Sequence, residues 1–356
     1  MKKYYSHFMI NLFFFFVSIG FAISCMPASD PDSRDNPEVD VLSEDERSTL
    51  GSLELVDPYP LYTMRYDADY DFNGYTPGIV FSADRIVAGS GFDFCSCFTA
   101  FGDDSAPLFG RNFDFYHRPA LLLFTSPAGG FRSASMVDLY DCGITPESPL
   151  AEIEDRIGLL DAPYLPIDGI NECGVTIGLM AVPHAEPPHD PNKPDVHELG
   201  MIRMVLDCAT DAEHAVSLIQ GVNVVFTHIP LHYLIGDPSG RSVVVEFVEH
   251  AVRVIWNEHP YQVSTNFTQS YYLPDLHAVC LRYDRLNADL TSTNGLISME
   301  EGMDLLSKVS QPHTMWSMVY HMKSGRIMAV MGRNYKQIHI FDFPLGPDVS
   351  GAGKNH

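Results

Sequence analysis

Residues 91–115, GFDFCSCFTAFGDDSAPLFGRNFDF, place Cys95 and Cys97 two positions apart, and a short turn later an Arg-Asn-Phe-Asp run supplies Arg111 and Asp114. Thiols beside a guanidinium and a carboxylate allow four chemistries: a metal site, a disulfide, a redox pair or an activated nucleophile. A metal would need further ligands at matching spacing, and a disulfide between residues two apart is strained. Two cysteines beside a hairpin also serve commonly as small buried apolar residues.

Folding the stretch back on GDDSAP, with its centre near Asp104–Ser105, sets Cys95 opposite Asp114. Directly opposed residues of an antiparallel pair lie about 4.5–5.5 Å apart at Cβ, so the carboxylate can reach its neighbour's main chain. That geometry suits a free α-amine, were Cys95 the first residue of a processed chain. The thiolate is then the nucleophile and the residue's own amine, with an ordinary pKa of roughly 7.7–8.0, is the base. A nearby arginine favours the thiolate. Arg111, however, has the opposite strand parity to Asp114. A simple pleat points it away unless a bulge or its long stem brings it round.

The run CSCF…LFGRNFDF resembles the start of the catalytic chain in the cysteine N-terminal-nucleophile (Ntn) hydrolases. That group includes choloylglycine hydrolases, penicillin V acylases, acid ceramidases and the isopenicillin N acyltransferases. Their pattern is Cys-(Ser/Thr) followed by Gly-Arg-Asn-x-Asp, and counting from Cys95 meets both Arg111 and Asp114, whereas counting from Cys97 misses both. GINECGVTIGL resembles the family's Gly-Met-Asn-Glu-x-Gly segment and carries Asn171. VSTNF resembles its Thr-Asn segment and carries Asn266. LRYDRL resembles the helix that supplies a late arginine, best matched by Arg282, with Arg285 one helical turn away.

The resemblance implies roles. Cys95 is the nucleophile, Asp114 orients its α-amine, and Arg111 lowers the thiol's pKa or steadies the site. Asn266 and the main chain at Asn171 donate to the tetrahedral oxyanion, where aligned donors typically contribute a few kcal/mol. The likeness spans about residues 55 to 343 and implies an αββα sandwich, two antiparallel sheets between helical layers, with no cofactor. The reaction implied is hydrolysis of a linear, non-peptide amide of a small N-acyl substrate. An acyltransferase of the same family and a non-catalytic envelope lipoprotein that binds an apolar ligand are the alternatives.

The elements around these residues support an α+β class. CSCFTAF and PLFGRNFDF read as strands, RPALLLFTSPAGGFRSASMVDLY as more strand, and PLAEIEDRIGLL has helical spacing. DGINECGVTIGLMAV reads as a turn followed by a buried strand. HELGMIRMVLDCATDAEHAVSLIQG reads as two helices, the second capped by Thr210 or Asp211 and stopped by Gly221. HYLIGDPSGRSVVVEFVEHAVRVIW is a hairpin turning at Asp-Pro-Ser-Gly, and YQVSTN is a strand ending at an asparagine. LHAVCLRYDRLNADL and SMEEGMDLLSKV read as helices, the second opened by a Ser298–Glu301 capping box, before two closing strand regions. Strands in runs and helices in separate blocks favour antiparallel sheets covered by helices. His184, His189 and His197 lie in a proline-rich stretch whose spacing matches no tight ligand pair, so a surface loop is the better reading than a metal site.

A chain of 356 residues with 46% hydrophobic content can bury a large core. Its formal net charge of −24 argues against a nucleic-acid partner. Seven cysteines, an odd number without zinc-ribbon spacing, fit a complete disulfide framework poorly. MKK followed by FMINLFFFFVSIGFAI and then AISC resembles a lipoprotein signal over residues 1–24, with Cys25 as the lipid-bearing residue and a bacterial cell-envelope membrane as its location; an ordinary secretory signal or an uncleaved anchor is the alternative. Residues 25–50 read as a disordered acidic tether and 51–94 as a short chain or pro-segment. Residues 95–347 read as the catalytic domain and 348–356 as a tail. On this reading Cys95 becomes N-terminal only when Phe94–Cys95 is cleaved.

Overall fold

In the computed structural model the described residues are 42–70, 95–227 and 229–346. The chain runs from helix α1 (Glu44–Gly51) through β1 (Glu54–Asp57), β2 (Leu61–Tyr66), β3 (Cys95–Ala100), β4 (Leu108–Asp114), β5 (Ala120–Thr125) and β6 (Ser133–Asp138). A 3-10 segment, Glu154–Tyr164, leads to β7 (Pro166–Asn171), β8 (Thr176–Ala181), β9 (Asp195–His197), α2 (Glu198–Cys208), α3 (Ala212–Gln220) and β10 (Asn223–Val225). Then come β11 (Leu231–Gly236), β12 (Ser242–Val248), β13 (Ala251–Trp256) and β14 (Tyr261–Ser264). The chain closes with α4 (Leu281–Thr293), α5 (Met299–Val309), β15 (Thr314–His321), β16 (Arg326–Met331) and β17 (His339–Asp342).

Two large sheets result. One orders its nine strands β1-β2-β5-β6-β7-β8-β11-β12-β13, and the other its six as β14-β3-β4-β15-β16-β17. They face each other across a core that includes Phe109, Trp316, Met180 and Leu234. Helices α2 and α3 cover the outer face of the larger sheet, and α4 and α5 that of the smaller, over a second cluster around Phe98, Leu286 and Leu306. The architecture is an α+β, αββα sandwich. Two pairings depart from the expected antiparallel pattern: β2 runs parallel to β5 in the larger sheet, and β9 runs parallel to β10 in a separate two-stranded sheet.

Local chemistry explains most element ends. Ser43 and Glu46 form a reciprocal capping box, so the last residues of the expected acidic tether start α1 instead of staying unstructured. Asp211, rather than Thr210, caps α3 by accepting from His214 N at 2.7 Å. The DGIN segment is strand β7, not a turn, and the reversal falls at Glu172–Gly174, where Gly174 takes a positive φ of 79°. Of PLAEIEDRIGLL only EDRIGLL is helical, as the start of the 3-10 segment, which continues through Pro163. The signal-like residues, Cys25, most of the tether, Phe94 and the tail lie outside the described residues. Among the described residues no helix is long and apolar enough to cross a membrane.

Candidate active site

β3 and β4 pair so that Cys95 faces Phe113 and Cys97 faces Arg111. The connection therefore takes seven residues, Phe101–Pro107, and the pairing lies one residue away from the expected register. A one-residue slip exchanges the faces of every side chain on a strand. That exchange turns Arg111 onto the face of Cys95, between the sheets, with no bulge required. It turns Asp114 onto the opposite face.

Arg111 is completely buried. Its Nη2 approaches Cys95 Sγ at 3.6 Å, Nη1 donates to Ile167 O at 2.9 Å, and Nε lies 3.2 Å from Asp168 Oδ2. Asp168, on β7, also accepts from Trp316 Nε1 at 3.1 Å and from the Tyr320 hydroxyl. Burial raises the Asp168 pKa, while Arg111, Tyr320 and Trp316 oppose the rise. Gly178, paired with Asp168 across β7–β8, leaves room for the guanidinium: a Cβ there would sit 2.9 Å from Arg111 Nη1. Sequence reasoning missed Asp168. Its one signal was a lone carboxylate in the apolar run LPIDGI.

The main chain of Cys95 is held from another side. Its N–H donates to Asn266 Oδ1 at 2.7 Å, and its carbonyl accepts from Arg282 Nη1. Arg282 also donates to Ser96 Oγ at 3.0 Å and, through Nη2, to Asn266 Oδ1 at 3.0 Å. Asn266 Nδ2 in turn donates to Ala181 O at 2.8 Å. Arg285 instead faces solvent and pairs with Asp289 at 3.3 Å. Of the two candidate arginines, Arg282 is the one beside Cys95.

The continuous chain does not display the roles implied for Asp114 and Asn171. In the continuous chain Asn266, not Asp114, takes the Cys95 nitrogen. Asp114 accepts from Thr314 Oγ1 through one oxygen, and its other, Oδ2, has no hydrogen-bond partner among the described residues and lies 3.8 Å from Arg282 Nη1. Thr314 Oγ1 already accepts from Gln311 N at 2.8 Å, which leaves its proton for Asp114. Asn171 is a hairpin residue. Its N–H bonds Val175 O at 2.9 Å, so that main-chain donor is not directed at an oxyanion. Its side chain bonds Ala209 O at 2.8 Å and accepts from Cys173 N and Val175 N at 3.0 Å each.

Burial pushes the Cys95 thiol up to about 11, against the pull of Arg111. Burial likewise raises the Cys97 thiol. Burial lifts Asp114 to about 6, with Thr314 and Arg282 drawing it back. The three histidines of the proline-rich stretch separate. His184 pairs with Glu186 at 3.1 Å and His189 with Asp195 at 3.7 Å, while the buried His197 caps α2 by accepting from Gly200 N at 3.2 Å. Among the described residues no three His, Cys, Asp or Glu side chains cluster as metal ligands.

The site is thus a buried cysteine at a strand start whose sulfur, nitrogen and carbonyl each meet a different polar side chain, on an αββα frame. Two solved structures of one enzyme share that frame. A mutant conjugated bile acid hydrolase from Clostridium perfringens is similar at a TM-score of 0.52 and 18% identity, over 70% of this chain and 92% of that one. A second variant of that enzyme is similar at 0.50 and 17%, over the same shares. A penicillin V acylase from Agrobacterium tumefaciens scores 0.49 at 16% identity, over 70% of this chain and 86% of that one. No curated protein matches. The profile of the linear amide C–N hydrolases, choloylglycine hydrolase family, matches residues 95–304. The chain belongs to this family and is an Ntn-type linear amide C–N hydrolase.

Proposed function

We propose that the protein hydrolyses small N-acyl amides with Cys95 as an N-terminal nucleophile. The observation that carries this reading is the division of labour around one residue: Arg111 at Sγ, Asn266 at N and Arg282 at O. The family profile begins at the same residue.

Activation comes first. Cys95 Sγ attacks the Phe94 carbonyl carbon, the C–N bond breaks, and the proton given up by the thiol passes to the nitrogen, which becomes the new α-amine. Water then hydrolyses the thioester and releases residue 94 as a carboxylate. In turnover the α-amine takes the thiol proton as sulfur attacks the substrate's carbonyl. Asn266 supplies an Nδ2–H to the oxyanion. The proton passes to the departing amine, leaving an S-acyl enzyme, and water attacks that carbonyl to return the thiol. Loss of the peptide bond also changes the first residue's needs: an ammonium has three donors where the amide had one, and Asp114 Oδ2 is a buried acceptor close by.

Cleavage would leave a short chain and a long one. Support for their staying together lies in β1 and β2, which belong to the nine-stranded sheet, and in His339 Nε2, 2.6 Å from Asp57 Oδ2. Lipid on Cys25 would then tether the catalytic chain to a bacterial envelope membrane through the short one.

Intact-mass and N-terminal analysis of purified protein tests the first step, and a panel of N-acyl amides tests the second. The expected result is a new N-terminus at Cys95, release of free amine, and loss of both in Cys95→Ala. A working enzyme whose Phe94–Cys95 bond stays whole would sink the mechanism. Transfer of the acyl group to an added amine in preference to water would reassign the chain as an acyltransferase.

A further inference from the structure

Asn266 sits on the bend that follows β14, and a bend does not by itself hold an amide to a fraction of an ångström. Two buried charged-type residues on the larger sheet surround it. His232 on β11 and Glu246 on β12 are each 1% exposed, inside strands otherwise rich in Val, Leu and Ile. Their side chains meet at 3.2 Å, Nδ1 to Oε1.

Every remaining polar atom of the pair is directed at the segment carrying Asn266. His232 Nε2 lies 2.7 Å from Thr265 O, the carbonyl of the peptide that enters Asn266. Glu246 Oε1 accepts from Gln269 N at 2.6 Å, and Oε2 accepts from Ser270 N at 2.9 Å and Ser270 Oγ at 2.5 Å. The bend is therefore gripped one residue before Asn266 and three and four residues after it.

Counting donors favours an ion pair. A peptide carbonyl only accepts, so Nε2 carries a hydrogen. Both carboxylate oxygens receive main-chain N–H groups, which suits an ionised Glu246, and an ionised carboxylate facing Nδ1 requires a hydrogen there too. Burial works against ionising Glu246, but His232 and Ser270 overcome it and hold its pKa below the usual range. A purely structural sheet would be at least as stable with a well-packed apolar pair at these two positions.

We infer that His232 and Glu246 form an ionic clamp that positions Asn266 against Cys95. They are positioning residues: neither touches Cys95, and their effect on the reaction passes through Asn266. The inference deepens the proposed function and rests on it for the kinetic readout.

The test uses full-length processed protein and compares wild type with Glu246→Gln, His232→Gln and Ser270→Ala, each alone and combined with Asn266→Ala. Misplacement of a catalytic group by about 1 Å costs on the order of 100-fold in rate. Glu246→Gln should lower kcat by about tenfold to 100-fold with KM little changed. Ser270→Ala, which removes one bond at the edge of the clamp, should lower kcat only a few-fold and fold normally. In the Asn266→Ala background none of the three should lower kcat further, because coupled residues are non-additive. Unchanged kcat with a lowered Tm, or a full further loss in that background, would overturn the clamp. The rate of Cys95 carbamidomethylation by iodoacetamide, read by peptide mass, gives a readout that needs no substrate. A wild type that hydrolyses no amide sinks the functional reading, whereas variants that leave both this rate and its pH profile at the wild-type values sink the clamp.

Discussion

Two arginines reach Cys95, and they are built into the protein in opposite ways. Arg111 stands mid-strand between the sheets with a dedicated counter-ion, Asp168, which is itself tied to Trp316 and Tyr320. Arg282 occupies the first turn of α4, where a cation opposes the helix dipole at a typical cost of about 0.3–1 kcal/mol. Its acceptors are the Cys95 carbonyl, Ser96 and Asn266, all parts of the site. The first arginine belongs to the foundation of the fold as much as to the thiol. The second is held against local helix preference by what it touches.

That contrast can be broken most severely at Arg111. Arg111→Leu leaves Asp168 buried without its counter-ion, and breaking a buried pair from one side costs about 3–5 kcal/mol. The expected outcome is a large drop in urea midpoint together with loss of processing. A double change, Arg111→Leu with Asp168→Asn, should recover part of the stability and none of the processing. Recovery of processing would show that the guanidinium serves only the fold.

Arg282→Leu should do the reverse. Stability should fall by about 1–3 kcal/mol, less than for Arg111→Leu, since buried acceptors lose their donor while an unfavourable dipole contact is also removed. Processing or turnover should fall by about 100-fold, as for loss of an aligned polar group at a reacting centre. Arg285→Leu is the control, and it should alter neither. Equal effects of the two changes would erase the distinction drawn between these helix positions.

How much of this was legible beforehand follows from the kind of information each residue carries. Cys95, Arg111 and Arg282 are side chains at motif spacing, and sequence could nominate them. The facing of Arg111 was not legible, because it depends on whether the connection holds six residues or seven, and GDDSAP gives no fixed turn type. Asn171 was nominated for a main-chain donor, and a main-chain role leaves no mark on residue type. Its N–H closes the β7–β8 hairpin instead. Asp168, His232 and Glu246 left a weak signal, an ionisable residue within an apolar run, which becomes meaningful only once the topology supplies a partner. The fold class was the most legible feature, since strand runs and helix blocks survive errors of a residue or two at their ends.

Asp114 separates the two arginines by pH. Its pKa rises from 3.8 to about 6 because it is buried, with Thr314 and Arg282 opposing. A raised carboxyl pKa means that the folded chain binds a proton the unfolded chain has already released. The associated stability is complete below pH 3.8 and is lost as the pH climbs through about 6. Cys95→Ala, which keeps the chain continuous, should therefore lose stability over this window relative to Cys95→Ala/Asp114→Asn, as read by thermal melts at each pH. Arg282→Leu should move the window upward, because it removes a positive neighbour. A window that stays in place would mean that Thr314, His313 and Arg111 restrain the carboxylate without Arg282.

The smallest effect belongs to Cys97, and it is the sharpest check on which thiol reacts. Cys97 lies directly across from Arg111, on the same face as Cys95 and equally buried, so proximity to the guanidinium does not distinguish them. What distinguishes them is the main chain. The Cys95 nitrogen and carbonyl meet Asn266 and Arg282, whereas Cys97 pairs within the sheet with Arg111 on one side and Ser264 on the other. A mid-strand residue cannot become a chain end without removing the first residues of β3. Cys97→Ala should then cost only the packing of one buried sulfur, about 0.5–1.5 kcal/mol by analogy with deleting a buried methyl. Processing and turnover should persist within a few-fold of wild type, measured in parallel with Cys95→Ala. Equal loss from the two substitutions would mean that the second thiol takes part in the chemistry, and the assignment of the sulfur, nitrogen and carbonyl of Cys95 to three separate partners would lose its functional meaning.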